Sequence, residues 1–333
     1  MQYSHSKLII NLNNIKNNLN IIKKFSKTSI CPVIKANAYG LGDIQIAKFL
    51  IKNKCKDFWV ANITEALKIK KNISNINIFV ANGLNKNEEQ IFFKNKFVPV
   101  LNTYEQFKKW TNFLNKKKVF NKLAIQVDTG MCRSGMQINE IKKIYAERSI
   151  IKKFKEVTIF THLASADEKN SKYNIIQKNR FLEIKSMFNF PNCKFSLAAS
   201  GGIFLGKEYH FDTVRPGIAL YGGKLFFKKG LKNVVSLISP VIQINHLKKG
   251  ETAGYNQSYK AKKDIMTATI PLGYADGIKI KISNIGKVFY KNVELPMIGR
   301  ISMDLMIFAK ISDTSPYDII TSVSERCERV YVN

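Results

Sequence analysis

The sequence predicts a (β/α)8 barrel followed by a smaller C-terminal all-β domain. Three observations predict it: eight short apolar runs between residues 30 and 220, stretches of helical period between them, and a change of texture after residue 230. The runs are CPVIKA at 31, FWVAN at 58, NIFVAN at 77, FVPVLN at 97, LAIQVD at 123, TIFTHL at 158, KFSLAA at 194 and FDTVRP at 211. Continuous apolar runs of this length mark strands buried on both faces, as in a parallel sheet. Between them, apolar residues fall at helical offsets: Ile46 and Leu50; Phe107, Trp110 and Leu114; Phe181, Ile184 and Phe188. A further set, Ile15, Leu19 and Ile22, precedes the first run. Eight such units over about 220 residues fit a closed barrel, with an open doubly wound sheet as the second reading. After residue 230 come β-branched runs broken by turns, VVSLISPVIQINHL, DIMTATIPLGY, GKVFY, VELPMIG and DLMIFAKI. The predicted domains are therefore a barrel over 8–230 and a β domain over 231–333 together with residues 1–7.

Composition narrows the function classes. Among the 333 residues, 45% are hydrophobic and 11% aromatic, enough to bury a core, which excludes intrinsic disorder. The start, MQYSHSKLIIN, has no secretory-signal pattern and no apolar stretch approaches membrane-spanning length, so a cytoplasmic protein with no membrane partner is expected. Five scattered cysteines without a CxxC pair, and four histidines without ligand spacing, predict reduced thiols and no metal site. The net charge of +30 invites a polyanionic partner, but the excess is lysine spread through every segment. No aromatic–basic motif accompanies it, so specific nucleic-acid binding is not expected. Only seven residues are arginine, and Arg133, Arg215 and Arg300 fall in the motifs discussed next.

In a barrel of this kind the active site is built at the carboxyl ends of the strands. The first run ends at Lys35, the fifth leads into Arg133, the sixth ends at His162, the seventh at Ser200 with Gly201 and Gly202, and the eighth at Arg215. A lysine at that rim is desolvated and inclined to lose its proton, the state that attacks an aldehyde. An arginine fork suits a carboxylate or phenolate oxygen, and small residues after strand seven expose N–H groups to an anion. Singly, each reads more simply as a solvated or structural residue; together they map to one rim. Gly40-Leu41-Gly42 opens a GxGxxG pattern whose third position is Gln45, so a dinucleotide site gains little support.

Seven motifs in order, VIKANAYG at 33, VDTGMCRSG at 127, THLASAD at 161, VRPGIALYG at 214, AGYNQSY at 253, PLGYADG at 271 and GRISMD at 299, resemble the alanine racemase family of pyridoxal-phosphate enzymes. The resemblance covers nearly the whole chain and implies interconversion of L- and D-alanine, for cell-wall peptidoglycan, by two opposed bases. It implies that Lys35 carries the cofactor and serves one face of Cα, while Tyr255, from the second subunit of a homodimer, serves the other. Tyr39, Ser200, Gly217 and Ile218 are implied to bind the cofactor phosphate. Arg133 is implied to meet the cofactor phenolate and substrate carboxylate, and Met303 of the other subunit to offer its N–H to that carboxylate. His162 is implied to hydrogen-bond around Arg215 and Tyr255, with Asp304 and Tyr274 in supporting positions. Arg215, a donor without acceptor capacity, is implied to face the pyridine nitrogen without protonating it, which keeps negative charge near Cα and disfavours transamination.

The sequence also departs from the family pattern. Gln126 stands where many relatives carry a carbamylated lysine; its neutral amide oxygen could still accept from Arg133, but the negative charge is gone. Ala199 replaces an asparagine, Glu325 replaces a phosphate-binding tyrosine, and the stretch from Ile311 to Tyr317 is a few dozen residues shorter than usual. The alternatives are a racemase of broader specificity, a decarboxylase on the same fold, and a degenerate basic binding protein. Arg215 in place of an acid argues against the decarboxylase, and the presence of both Lys35 and Tyr255 against the degenerate protein.

Overall fold

The computed structural model describes residues 6–223, 230–290 and 293–309, and the backbone of 319–322. Glu325, Cys327 and the Ile311–Tyr317 stretch lie outside the described residues. The chain divides into two compact units, Leu12–Lys232 and Met1–Asn11 with Asn233–Asn333.

In the first unit the apolar runs become a ring of parallel strands. Asp57–Val60, Asn77–Val80, Val98–Leu101, Lys122–Gln126, Glu156–Phe160 and Cys193–Ser196 form one continuous parallel sheet in chain order. Ser29–Ile30 and Thr213–Val214 pair in parallel with each other. They join the sheet at its two edges, through the Val33–Trp59 bridge on one side and the Ala199–Arg215 bridge on the other. Asp212 N–H also reaches Phe195 O at 3.0 Å. Eight strands therefore close on themselves, and the open-sheet reading is set aside. The interior is filled by Cys31, Val33, Trp59, Phe79, Val98, Val100, Ala124 and Phe160, so the barrel is a packed core rather than a pore.

Helices lie between the strands, each burying the stripe its period predicts. Tyr104–Lys117 buries Phe107, Trp110, Thr111 and Leu114, and starts at Thr103, whose side chain accepts from Gln106 N–H at 3.1 Å. Leu12–Ser26 buries Ile15, Leu19 and Ile22 together with Asn18. The Asn18 amide is fully satisfied, donating to Leu220 O and Lys232 O and accepting from Lys232 N–H. A buried amide paired this way ties the first helix of the unit to its last residues.

The second unit is an eight-stranded antiparallel sheet. Its order is Lys7–Ile10, Val235–Pro240, Ile319–Ser322, Lys287–Tyr290, Val293–Ile298, Met306–Ala309, Ile265–Ile270 and Gln243–Leu247. Val241, Ala268, Ile270, Val288, Leu295, Met297, Met306 and Phe308 form its core. The chain enters this sheet first: Lys7 to Ile10 pair with Ile238 to Val235. The barrel unit thus begins at Leu12 rather than at residue 8, because the Leu8-Ile9-Ile10 run is claimed by a strand partner more than two hundred residues away.

Candidate active site

The backbone after Lys35 does something the motif does not announce. Ala36, Asn37, Ala38 and Tyr39 all have positive φ, between 52° and 60°, forming a left-handed turn without a glycine. For L-residues this conformation costs about 1–2 kcal/mol each, so the surroundings must impose it. Ala38 N–H bonds Ile34 O, Gly40 N–H bonds Ala36 O, and Gly42 N–H bonds Asn37 O. The Asn37 side chain accepts from Asp43 N–H at 3.1 Å and from Lys68 Nζ, and Lys68 also pairs with the buried Asp43 at 2.8 Å. Lys35 stands at the head of this turn, exposed as a residue but with its amine partly desolvated. Desolvation by the barrel wall lowers its pKa from the usual lysine value, the Arg133 charge lowers it further, and Glu65 opposes.

Across the mouth lies an anion cradle. Ser200 opens the short helix Ser200–Ile203, and its hydroxyl accepts from Gly217 N–H at 2.9 Å and Ala219 N–H at 3.1 Å. A Cβ on Gly217 would come within 2.2 Å of the Tyr39 hydroxyl. Only glycine lets the phenol pack this closely on the Gly217 backbone beside Ser200. The Tyr39 ring leans on Tyr221, centroids 4.9 Å apart, and Tyr221 donates to Val33 O, which fixes the cradle to the first strand.

Arg215 is buried, with its guanidinium 4.6 Å from the Phe160 ring centroid and 5.5 Å from that of Trp59. Its two terminal nitrogens are engaged: one with Ser196 O and Oγ at 3.0 and 2.5 Å, the other with Thr161 O at 2.6 Å. Nε makes none of the described hydrogen bonds. Burial lowers the pKa to about 10, which leaves Arg215 a cation at neutral pH. Ser196 itself donates to Thr213 O. The loops after strands five and six are held by Gln177, fully buried on Lys172–Met187, whose amide donates to Thr129 Oγ1 and His162 O and accepts from Ala164 N–H.

Two of the side-chain pairings considered above are not among the described hydrogen bonds. Gln126 donates through its amide nitrogen to Ser134 O and Oγ at 3.1 and 2.9 Å, rather than accepting from Arg133. His162 makes no described hydrogen bond to Arg215, whose terminal donors go to carbonyls and Ser196. The imidazole instead sits among positive charges. Desolvation first, then Arg215, Arg133 and Lys35, lower its pKa to about 3, so it is neutral in the folded protein. An unfolded histidine takes up a proton below about 6.5. Stability from this residue is therefore present above that pH and drains away as pH falls towards about 3. At pH 5 the loss reaches up to about 2 kcal/mol relative to neutral pH. Urea unfolding at pH 7 and pH 5 should show His162→Gln losing less stability than wild type over that interval; an equal loss would contradict the assignment.

In the β unit, Tyr255, Tyr274 and Met303 are exposed, at 65%, 41% and 54%, and Asp304 is exposed beside Met303. One segment gathers them. Gly254, at φ +78°, lies so close to Arg300 N that a Cβ would approach it to 2.5 Å, while Tyr274 and Ala275 N–H bond Ser302 O and Met303 O. Sequence reading missed three residues that shape the barrel-side site: Glu65, Gln177 and Ser196. Glu65 reads locally as an acid in the first turn of a capped helix, and nothing nearby in the chain signals its further contacts.

Residues 10–224 match the family model for the alanine racemase N-terminal domain, and residues 234–309 that for its C-terminal domain. The chain belongs to the alanine racemase family. An alanine racemase from Rickettsia canadensis is 40% identical over 314 residues, covering 94% of this chain and 86% of the relative. Another, from Rickettsia akari, is 37% identical over 355 aligned positions, with 98% of each covered. Among solved structures, alanine racemase from Bartonella henselae with covalently bound pyridoxal phosphate superposes with a TM-score of 0.88 at 34% identity, over 96% of this chain and 90% of that one. The Acinetobacter baumannii enzyme gives 0.83 at 26% identity, over 96% and 90%. The family's barrel and C-terminal domain are thus the two units described above.

Proposed function

We propose that this chain interconverts L- and D-alanine with pyridoxal phosphate held on Lys35. The observation that carries the reading is the convergence at one barrel mouth of an amine with lowered pKa, an anion cradle and a buried arginine with one unspent donor. The residues fit the cofactor: Tyr39, Ser200, Gly217 and Ile218 converge with hydroxyl and backbone N–H groups that would hold a phosphate, and Arg215 Nε, outside the described hydrogen bonds, would face the pyridine nitrogen. When bound, the group supplies an aldehyde for the amine and a conjugated ring that draws electrons from the substrate Cα. Lys35 moves the proton on one face and Tyr255 on the other. Arg133 pairs with the substrate carboxylate, and Met303 N–H assists from a second subunit of a homodimer. Neutral His162 leaves the positive charge of the mouth to Arg133, Arg215 and Lys35. Arg215 remains a cation and hands no proton to the ring nitrogen, which favours racemisation over transamination.

Among the described residues no helix is long and apolar enough to cross a membrane. A cytoplasmic enzyme supplying D-alanine for peptidoglycan is the setting that follows from the proposed reaction. The test is direct. Purified protein given pyridoxal phosphate should form D-alanine from L-alanine, and borohydride should abolish both its visible absorption and its activity while fixing the cofactor mass on the Lys35 peptide. Mass fixed on another lysine, or no D-alanine, would overturn the reading.

A further inference from the structure

The left-handed turn after Lys35 is held at its first amide by a residue from another element. Glu65 lies in the first turn of the helix Ile63–Asn72, where Asn62 caps it by accepting from Glu65 N–H at 3.0 Å. Its two carboxylate oxygens are divided between two strand ends. Oε1 accepts from Ala36 N–H at 2.8 Å, and Oε2 accepts from Ala61 N–H at 2.7 Å. One half-buried side chain therefore joins the residue after Lys35 to the end of the neighbouring strand.

We propose that Glu65 is a positioning residue for Lys35, its carboxylate bridging the Ala36 and Ala61 amides to hold the left-handed turn that presents the Lys35 amine to an aldehyde. The inference rests on the reading of Lys35 as the cofactor lysine. The chemistry of the bridge is specific. Two N–H donors facing one side chain require two acceptors and no donor, which an ionised carboxylate provides. Glutamine offers one oxygen and sets its NH2 against the other amide. Aspartate keeps both acceptors but is one methylene too short to span the same two donors.

The bridge also places charge. The groups facing Lys35 are Glu65, Arg133 from the loop after strand five and His162 from strand six. His162 is neutral, so Arg133 and Glu65 are the charges that oppose each other there. Removing the Glu65 charge leaves Arg133 unopposed and moves deprotonation of Lys35 to lower pH.

The experiment compares wild type, Glu65→Gln and Glu65→Asp by three readouts: the pH profile of Lys35 labelling by formaldehyde with cyanoborohydride, the rate of pyridoxal-phosphate uptake, and deuterium exchange of the peptide covering residues 36–42. For Glu65→Gln, half-labelling should move to lower pH by about one unit, uptake should slow at least about tenfold, and exchange should accelerate. For Glu65→Asp, which keeps the charge, the labelling profile should stay near wild type while uptake slows and exchange accelerates. Wild-type uptake and exchange in either folded variant would overturn the proposal, as would slowed uptake with exchange and labelling unchanged. If Glu65→Gln does not fold, the aspartate variant alone decides. Wild type that takes up no pyridoxal phosphate would sink the cofactor reading instead, while the formaldehyde profile still reports on Glu65.

Discussion

Lys35→Ala is expected to lower alanine racemisation by at least about a thousandfold, because on the proposed reading one substitution removes both the covalent tether of the cofactor and one of the two bases. The neighbouring groups cannot stand in. Arg133 has no lone pair to donate, and His162, though neutral, lies at the end of a different strand. The proposed phosphate cradle draws on Tyr39, Ser200 and the Gly217 backbone and does not include Lys35. The variant should therefore still bind pyridoxal phosphate, but as the free aldehyde, released by dialysis and not fixed by borohydride. Added methylamine should restore part of the activity by supplying a diffusible amine. Turnover within tenfold of wild type, measured as D-alanine formed without added amine, would show that Lys35 is not the base.

How much of this was legible in the chain depends on the range over which each feature is decided. The barrel strands were legible because burial on both faces forces continuous apolar runs such as Phe58-Trp59-Val60, whose residues are all buried. The rim residues were legible because strand ends fix where Lys35, His162, Ser200 and Arg215 emerge. The strand Lys7–Ile10 was not, since its three apolar residues look the same whichever unit they join. Nor was the left-handed turn: Ala36, Asn37, Ala38 and Tyr39 contain no glycine, and their conformation is imposed by Glu65, Lys68 and Asp43 from outside the turn. Gln126 shows the same limit at the level of one side chain. Its position was evident, but which partner it chooses depended on the fold of its loop around Ser134.

Mixing two inactive variants should restore activity if each site takes Lys35 from one subunit and Tyr255, Met303 and Asp304 from another. Lys35 belongs to the barrel unit and Tyr255 to the β unit, where the residue is 65% exposed. A two-fold dimer offers a way to complete it, because each β unit can then serve the barrel of the other chain. Lys35→Ala and Tyr255→Phe, each inactive alone, should be mixed in equal amounts, unfolded and refolded with pyridoxal phosphate. Random assembly makes half of the dimers mixed, and each mixed dimer holds one site with both bases intact and one with neither. Activity should therefore recover to about a quarter of wild type. If both bases came from the same chain, every site in a mixed dimer would lack one of them. A mixture that stays as inactive as its parents, with mixed dimers demonstrated by mass spectrometry, would rule out the shared site.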